Sequence, residues 1–316
     1  MKITILGCGA FGTAIASLFE KKDVQTVIWS KFEKEIEKEQ KNYPTIKITT
    51  SLQEACHLSD LIIIAIPINF IKDTILELKP YYQNQDILIA SKGIDTKTHQ
   101  FASEIILSIL ENAPIGIISG GSFAIDMKNK NVLGLTLATK HNTIKEKVKK
   151  YMESDIVKIQ YIKDTIGLPI CGAIKNVMAI GFGMLDGAKL PDSSKFLFLT
   201  NAIYEIKYLI STLQGEEDTI MTYAGIDDIM MTCTSSTSRN YTLGNLIGSN
   251  KSKEEIEKYK QETTIEGLGT AKAMYELAKN KHINLPLTNT IYQILYEGKN
   301  YLELINTLKN STNNNL

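Results

Sequence analysis

The six residues GCGAFG, residues 7–12, follow directly on the apolar run KITIL and open into the helical pattern AFGTAIASLF. Few folds accept a glycine-x-glycine-x-x-glycine at a strand-to-helix turn. The first glycine makes the tight turn, the second lets the backbone approach a ligand, and the third lets helix pack on strand. The helix start then presents N–H groups that have no intrahelical partner, a ready site for an anion. In this setting Gly7, Gly9 and Gly12 predict a dinucleotide pyrophosphate at the first turn of the helix.

The N-terminal half of the chain extends that beginning. Short Ile/Leu/Val-rich runs (QTVIWS, TIKITT, DLIIIAIP, DILIASKG, PIGIISGG, VLGLTLAT, IVKIQYI) are separated by helical stretches such as KFEKEIEKEQK, INFIKDTILELKPYY and HQFASEIILSILEN. Continuous apolar strands suit a parallel sheet covered on both faces, and strand–helix alternation predicts a doubly wound α/β domain. After about residue 165 the strand signals stop. AIKNVMAIGFGMLDG, SKFLFLTNAIYEIKYLISTLQ, AKAMYELAKNKH and LTNTIYQILYEG carry helical periodicity, so an all-helical domain follows. The sequence reading is an N-terminal domain over residues 1–185 and a helical one over residues 186–316, with a polar tail, NTLKNSTNNNL, that frays.

Thirty-five basic residues balance thirty-five acidic ones, so no global field draws the chain to nucleic acid. The four cysteines and four histidines are dispersed without metal-ligand spacing, so no metal is expected. DLIIIAIPI and VMAIGFGM fall short of the ~18 apolar residues of a membrane span. With no secretory pattern in MKITILGCGAFG, the expected compartment is the cytoplasm.

Chemistry is carried by a few polar residues in apolar or glycine-rich surroundings. Lys175 sits within GLPICGAIKNVMAIGFG with no carboxylate within seven residues on either side. Such a lysine either runs its head out to water or has work to do. Lys92, in ASKGI, ends a buried strand, where open α/β sheets collect ligands. SGGSFA, residues 119–124, likewise follows a strand with small residues whose N–H groups can face an anion. In TCTSSTSRN, residues 232–240, Arg239 is the only arginine of the chain. Where every other basic residue is lysine, a planar donor fork points to bidentate phosphate binding. After the second strand, Ser30 and Lys31 stand where a carboxylate would hold a ribose hydroxyl. Lys31 can pair with a 2′-phosphate, so the expected cofactor is NAD or NADP, with a slight lean toward NADPH.

Through these motifs the chain resembles the bacterial, soluble type of NAD(P)-dependent sn-glycerol-3-phosphate dehydrogenase nearly end to end. GAIKNV and TCT…SRN are the specific blocks; the glycine fingerprint is shared by many dehydrogenases. The resemblance implies a Rossmann-type domain, then a helical substrate domain, and a homodimer. It also implies interconversion of sn-glycerol 3-phosphate and dihydroxyacetone phosphate, supplying glycerol 3-phosphate for phospholipid synthesis. By the same resemblance Lys175 is the proton acceptor, and Lys92 touches cofactor and substrate. Gly120, Ser122, Asp228, Ser238, Arg239 and Asn240 match substrate positions. Ala10, Phe11, Lys31, Ala124, Arg239 and Glu266 match cofactor positions.

Several residues depart from the family pattern. Gly121 replaces a proline, Asp227 adds a carboxylate beside Asp228, Tyr241 and Thr242 replace a basic pair, Asn201 replaces an arginine, and Phe32 follows Lys31. Apolar surroundings and the second ammonium of Lys92 are expected to disfavour the charge on Lys175 and suit it to proton transfer. Asp228 is expected to orient Lys175 or a substrate hydroxyl. Two other readings remain open on the sequence: a non-catalytic NAD(P)H-sensing regulator, and a dehydrogenase of similar architecture acting on a 6-phosphogluconate- or ketopantoate-like substrate.

Overall fold

The structure, a computed structural model, describes residues 1–19 and 23–310. By its contacts the chain forms two compact units, Met1–Lys92 with Gln100–Thr165, and Gly93–His99 with Ile166–Leu316.

The first unit carries one sheet of β1 (Lys2–Leu6), β2 (Gln25–Trp29), β3 (Lys47–Thr49), β4 (Leu61–Ile64), β5 (Asp86–Ile89), β6 (Ile115–Ser119), β7 (Leu133–Thr139) and β8 (Val157–Ile162). Helices α1 (Ala10–Leu18), α2 (Glu33–Asn42), α3 (Leu52–Cys56), α4 (Ile68–Leu78), α5 (Ala102–Ile109), α6 (Ala124–Lys128) and α7 (Asn142–Tyr151) are interleaved with the strands. The strand order is β3-β2-β1-β4-β5-β6-β7-β8. Its first six strands are parallel and follow the doubly wound order, with the reversal between β1 and β4. The expected parallel sheet needs one correction: β7 pairs antiparallel with β6, Gly116 opposite Thr139. An apolar strand has the same burial in either direction, so its residues do not report which way it runs. Ile3, Ile5, Ile28, Leu61, Ile63 and Leu88 lie in the core of this unit. The sequence pattern of α1 continues into residues 20–22, outside the described residues.

The second unit is helical: α8 (Gly167–Gly187), α9 (Asp192–Thr212), α10 (Asp228–Thr234), α11 (Arg239–Gly248), α12 (Lys253–Glu262), α13 (Glu266–Lys281), α14 (Pro286–Tyr296) and α15 (Glu303–Asn310). Helix α15 takes up the start of the tail expected to fray, and the remainder of that tail lies outside the described residues. The sequence pattern puts a domain boundary at 185/186, after the Lys175 helix. The contacts divide the chain at 165/166 instead, because α8 packs on α9, α10, α11 and α13. In α8, 18 of 21 residues are buried, the pattern of a core helix that is apolar all round. By length and composition α8 is long and apolar enough to cross a membrane, which the shorter windows do not suggest, yet 94% of its apolar window is buried in the fold.

Helices α8 and α11 meet through glycines. A Cβ on Gly244 would lie 2.0 Å from the Ile180 carbonyl oxygen, and one on Gly248 would lie 1.9 Å from that of Met184. From α8, a Cβ on Gly183 or Gly187 would lie as close to the carbonyl oxygens of Tyr241 and Asn245, at 2.2 and 2.3 Å. Both helices advance together along this seam, so they run parallel in fixed register. One turn earlier that register sets Asn240 against Asn176, 3.0 Å from Nδ2 to Oδ1.

Candidate active site

Each unit holds a group of the residues that carry the expected chemistry. In the first unit the glycine turn has the expected geometry. Gly7 takes φ +123° and its N–H donates to the Trp29 carbonyl at 2.9 Å. A Cβ there would lie 2.5 Å from the Ala65 carbonyl oxygen, across the β1/β4 switch point. A Cβ on Gly12 would lie 2.1 Å from the Gly7 carbonyl oxygen, whereas one on Gly9 meets nothing within 4 Å. Two glycines are thus required by the fold and the third keeps a space open. Gly9 is the N-cap of α1 and supplies no side chain to cap it. The amides of Ala10, Phe11 and Gly12 are therefore the first-turn donors of α1. An open space above such donors fits a pyrophosphate.

At the neighbouring strand ends, Lys92 Nζ lies 5.8 Å from the centroid of the Phe11 ring and 3.5 Å from the Gly120 carbonyl oxygen. Three residues distant in sequence, Phe11, Lys92 and Gly120, thus converge. Ser122 donates its N–H to the Gly120 carbonyl at 2.9 Å. The hydroxyls of Ser119 and Ser122 are buried without a hydrogen-bond partner, a costly state that a polar ligand relieves. Ser119 is not among the residues expected from the sequence, although it is the first residue of SGGSFA. Ala124 opens α6, which packs on α1. At the end of β2, Ser30 donates to Glu35 Oε2 at 2.5 Å and Lys31 pairs with Glu77 at 2.8 Å. Phe32 is 56% exposed. The lean toward NADPH presumes a Lys31 ammonium without a carboxylate, and Glu77 supplies one.

In the second unit, Lys175 is buried with its Nζ donating to Asp228 Oδ1 and, at 3.0 Å, to Thr232 Oγ1. Thr232 in turn donates to Asp228 Oδ1 at 3.3 Å. Asp228, expected to orient Lys175 or a substrate hydroxyl, contacts Lys175, and this fully buried carboxylate compensates a charge that apolar surroundings alone would disfavour. Asp228 stands directly after a π-helical turn, Tyr223–Asp227, that redirects the chain into α10. Thr232 follows Asp228 by one helical turn, and that spacing is the sequence signal that reveals it. The field of the pair reaches its neighbours. Burial pushes the Cys233 thiol up to about 12, with Lys175 opposing and Asp228 adding. Burial and then the Asp228 charge raise Asp227, whose side chain is on the exposed side of the turn.

A second cluster adjoins Lys175 in sequence. Asn176 donates to Glu266 Oε2 at 3.2 Å and accepts from Asn240, and Asn240 Oδ1 accepts the Gly267 N–H at 2.9 Å. Glu266 and Asn240 are thereby joined by Asn176, a residue of GAIKNV that the sequence alone does not mark. Ser238 caps α11 by accepting the Tyr241 N–H at 3.3 Å. Arg239 is the first residue of α11 and is exposed. A cation at a helix N-terminus is locally unfavourable, and together with the first-turn amides it forms a binding arrangement for an anion. The departing residues have structural work: Tyr241 donates to Asp186, which also pairs with Lys195 at 2.7 Å, and Asn201 donates to its own helix at Leu197, 2.9 Å.

Comparison with known proteins agrees along the chain. The family described as NAD-dependent glycerol-3-phosphate dehydrogenase matches with its N-terminus over residues 2–145 and its C-terminus over residues 164–306. The glycerol-3-phosphate dehydrogenase [NAD(P)+] of Wolbachia sp. subsp. Drosophila simulans is 34% identical, covering 98% of this chain and 99% of its own. That of Staphylococcus epidermidis is 30% identical over 97% of both. The crystal structure of glycerol-3-phosphate dehydrogenase from Coxiella burnetii superposes with a TM-score of 0.90 at 26% identity, over 98% of this chain and 99% of that one.

Proposed function

The chain belongs to the NAD-dependent glycerol-3-phosphate dehydrogenase family, and from that premise we propose that it interconverts sn-glycerol 3-phosphate and dihydroxyacetone phosphate with NAD(P)H or NAD(P)+. The observation that carries the mechanism is the buried Lys175–Asp228–Thr232 group. Bound nicotinamide supplies or accepts the hydride at the substrate's second carbon.

Reduction of the ketone needs a proton at its oxygen. Lys175 donates it as an ammonium, and in the oxidative direction the amine takes it back. Asp228 holds the ammonium in place and stabilises its charge, while Thr232 fixes the direction of a second donor. Arg239, with the first-turn amides of α11 and Ser238, holds the phosphate. Its remote binding energy positions the reacting carbon. Asn240 is held by Asn176 and Gly267, which fixes the start of α11 relative to Lys175. In the first unit, Gly9 and the amides of Ala10 and Phe11 hold the cofactor's pyrophosphate, Lys92, Gly120 and Ser122 contact substrate, and Ala124 contacts cofactor. By the family resemblance, Glu266 is a cofactor-contacting residue as well. The same reading places the protein in the cytoplasm as a homodimer that supplies glycerol 3-phosphate for phospholipid synthesis.

The test is turnover of dihydroxyacetone phosphate. Wild type should oxidise NADH or NADPH in its presence, and Lys175→Ala should lose at least about a thousandfold in kcat, within the range general acid catalysis contributes, while binding NADH within a few-fold of wild type. A Lys175→Ala enzyme keeping a tenth of wild-type kcat would remove Lys175 from the reaction. Cofactor binding without turnover in wild type would favour a sensor.

A further inference from the structure

The end of β2 lacks the carboxylate that in doubly wound folds accepts a ribose hydroxyl, and Lys31 occupies its place. The structure brings a carboxylate there from elsewhere. Glu77, near the end of α4, accepts from Lys31 Nζ at 2.8 Å, from 46 positions along the chain. The two side chains are 53% and 48% exposed, so both can meet a ligand. Asp73, one turn earlier on α4, adds negative field at the same ammonium. On the other side Glu35 is engaged by the Ser30 hydroxyl. The pair forms part of the wall of a groove of about 390 Å³ that Trp29, Ser51, Gln53 and Tyr81 also line.

We propose that Glu77 is a cofactor-specificity residue: by holding the Lys31 ammonium and turning its own charge to the same space, it removes the advantage of NADPH and leaves NADH the better-bound cofactor. The proposal rests on reading the first unit as the dinucleotide-binding one. A 2′-phosphate carries nearly two negative charges at neutral pH. To reach Lys31 it must displace Glu77, and the displaced carboxylate then lies beside a like charge. A ribose hydroxyl brings no charge and meets no such opposition. An acid sought shortly after β2 in the sequence is missed, because it arrives from a helix two strands later.

Trp29 is the only tryptophan of the chain, so quenching of its fluorescence reports binding without turnover. Dissociation constants for NADH and NADPH are measured for wild type, Glu77→Gln, Lys31→Gln, the double variant and Glu35→Gln, at two ionic strengths. Wild type should bind NADH more tightly. Glu77→Gln should tighten NADPH about three- to five-fold, the scale of one exposed charge pair, and leave NADH within about twofold. Added salt should shrink the change, and Lys31→Gln in the same chain should remove most of it. An unchanged NADPH/NADH ratio in Glu77→Gln overturns the proposal, as does an equal shift produced by Glu35→Gln. If neither cofactor binds wild type, the dinucleotide reading falls and takes the proposal with it.

Discussion

Lys175 and Asp228 are each tolerable in the core only because the other is present. Taking either charge out of water costs several kcal/mol, and removing one partner of a buried pair strands the other, typically at about 3–5 kcal/mol. Asp228→Asn should therefore destabilise the protein by roughly 3 kcal/mol or more. The double variant Lys175→Met, Asp228→Asn should recover a large part of that loss while remaining inactive. Urea midpoints of wild type, Lys175→Met, Asp228→Asn and the double variant test this, and strictly additive losses would mean that the two groups do not compensate each other. The lysine is conspicuous in the sequence because no carboxylate stands within seven residues of it on either side. Its partner is named there by resemblance, with Lys175 or a substrate hydroxyl left open as its contact, because 53 positions separate the two and only the crossing of α8 with α10 brings them together. Thr232 and Asn176 are not named by the resemblance, and each is found from its distance along the chain to a residue that is. One lies a single turn beyond a named residue, and the other sits directly beside one.

At the scale of elements, strand and helix order is legible because it rests on local periodicity. The direction of β7 is not, and neither is the pairing of α8 with α11. Both helices carry glycines four apart, Gly183 with Gly187 and Gly244 with Gly248, yet nothing in either segment says that they face each other. The seam makes a sharp distinction among glycines. In Gly248→Ala the new methyl would start 1.9 Å from a backbone oxygen of α8, so the helices must separate or shift. Overpacking of this kind costs about 1–3 kcal/mol or more. It should also move Asn240 against Asn176, raising KM for dihydroxyacetone phosphate. Gly9→Ala is the counterpart. Its φ of −73° suits alanine and its Cβ would meet nothing, so thermal stability should hold while cofactor affinity falls as the methyl enters the pyrophosphate space. If Gly9→Ala binds cofactor like wild type, the open space above α1 is not where the pyrophosphate lies.

For the whole molecule, contiguous domains are the natural expectation, and the chain is interleaved instead. Gly93–His99 belongs to the second unit although the first unit resumes at Gln100. His99 pairs with Glu276 at 2.8 Å to fasten it. A seven-residue loop between a strand and a helix carries no periodicity that would announce where it docks. The balance of charge is a whole-molecule property too. With thirty-five charges of each sign, self-repulsion is small near neutral pH, and pH dependence falls to individual buried groups. Glu205 is the clearest of them. It is buried in α9, and its carboxylate accepts the N–H groups of Leu287 and Thr288 at 2.7 and 2.9 Å and the Thr288 hydroxyl at 2.6 Å, capping the start of α14. Burial raises it from 4.5 to about 7, against the pull of those donors. The folded protein therefore binds this proton more tightly than the unfolded chain does. Its contribution to stability is complete below about pH 4.5, declines as pH rises through 7, and is constant above that. The total change is on the order of 3 kcal/mol. Glu205→Gln cannot titrate, so the stability of wild type minus that of the variant should fall between pH 5 and 8. Urea midpoints taken at intervals across that range measure the difference directly. A difference that stays flat would mean that the three donors hold Glu205 ionised throughout, and that α14 is capped by a permanent charge.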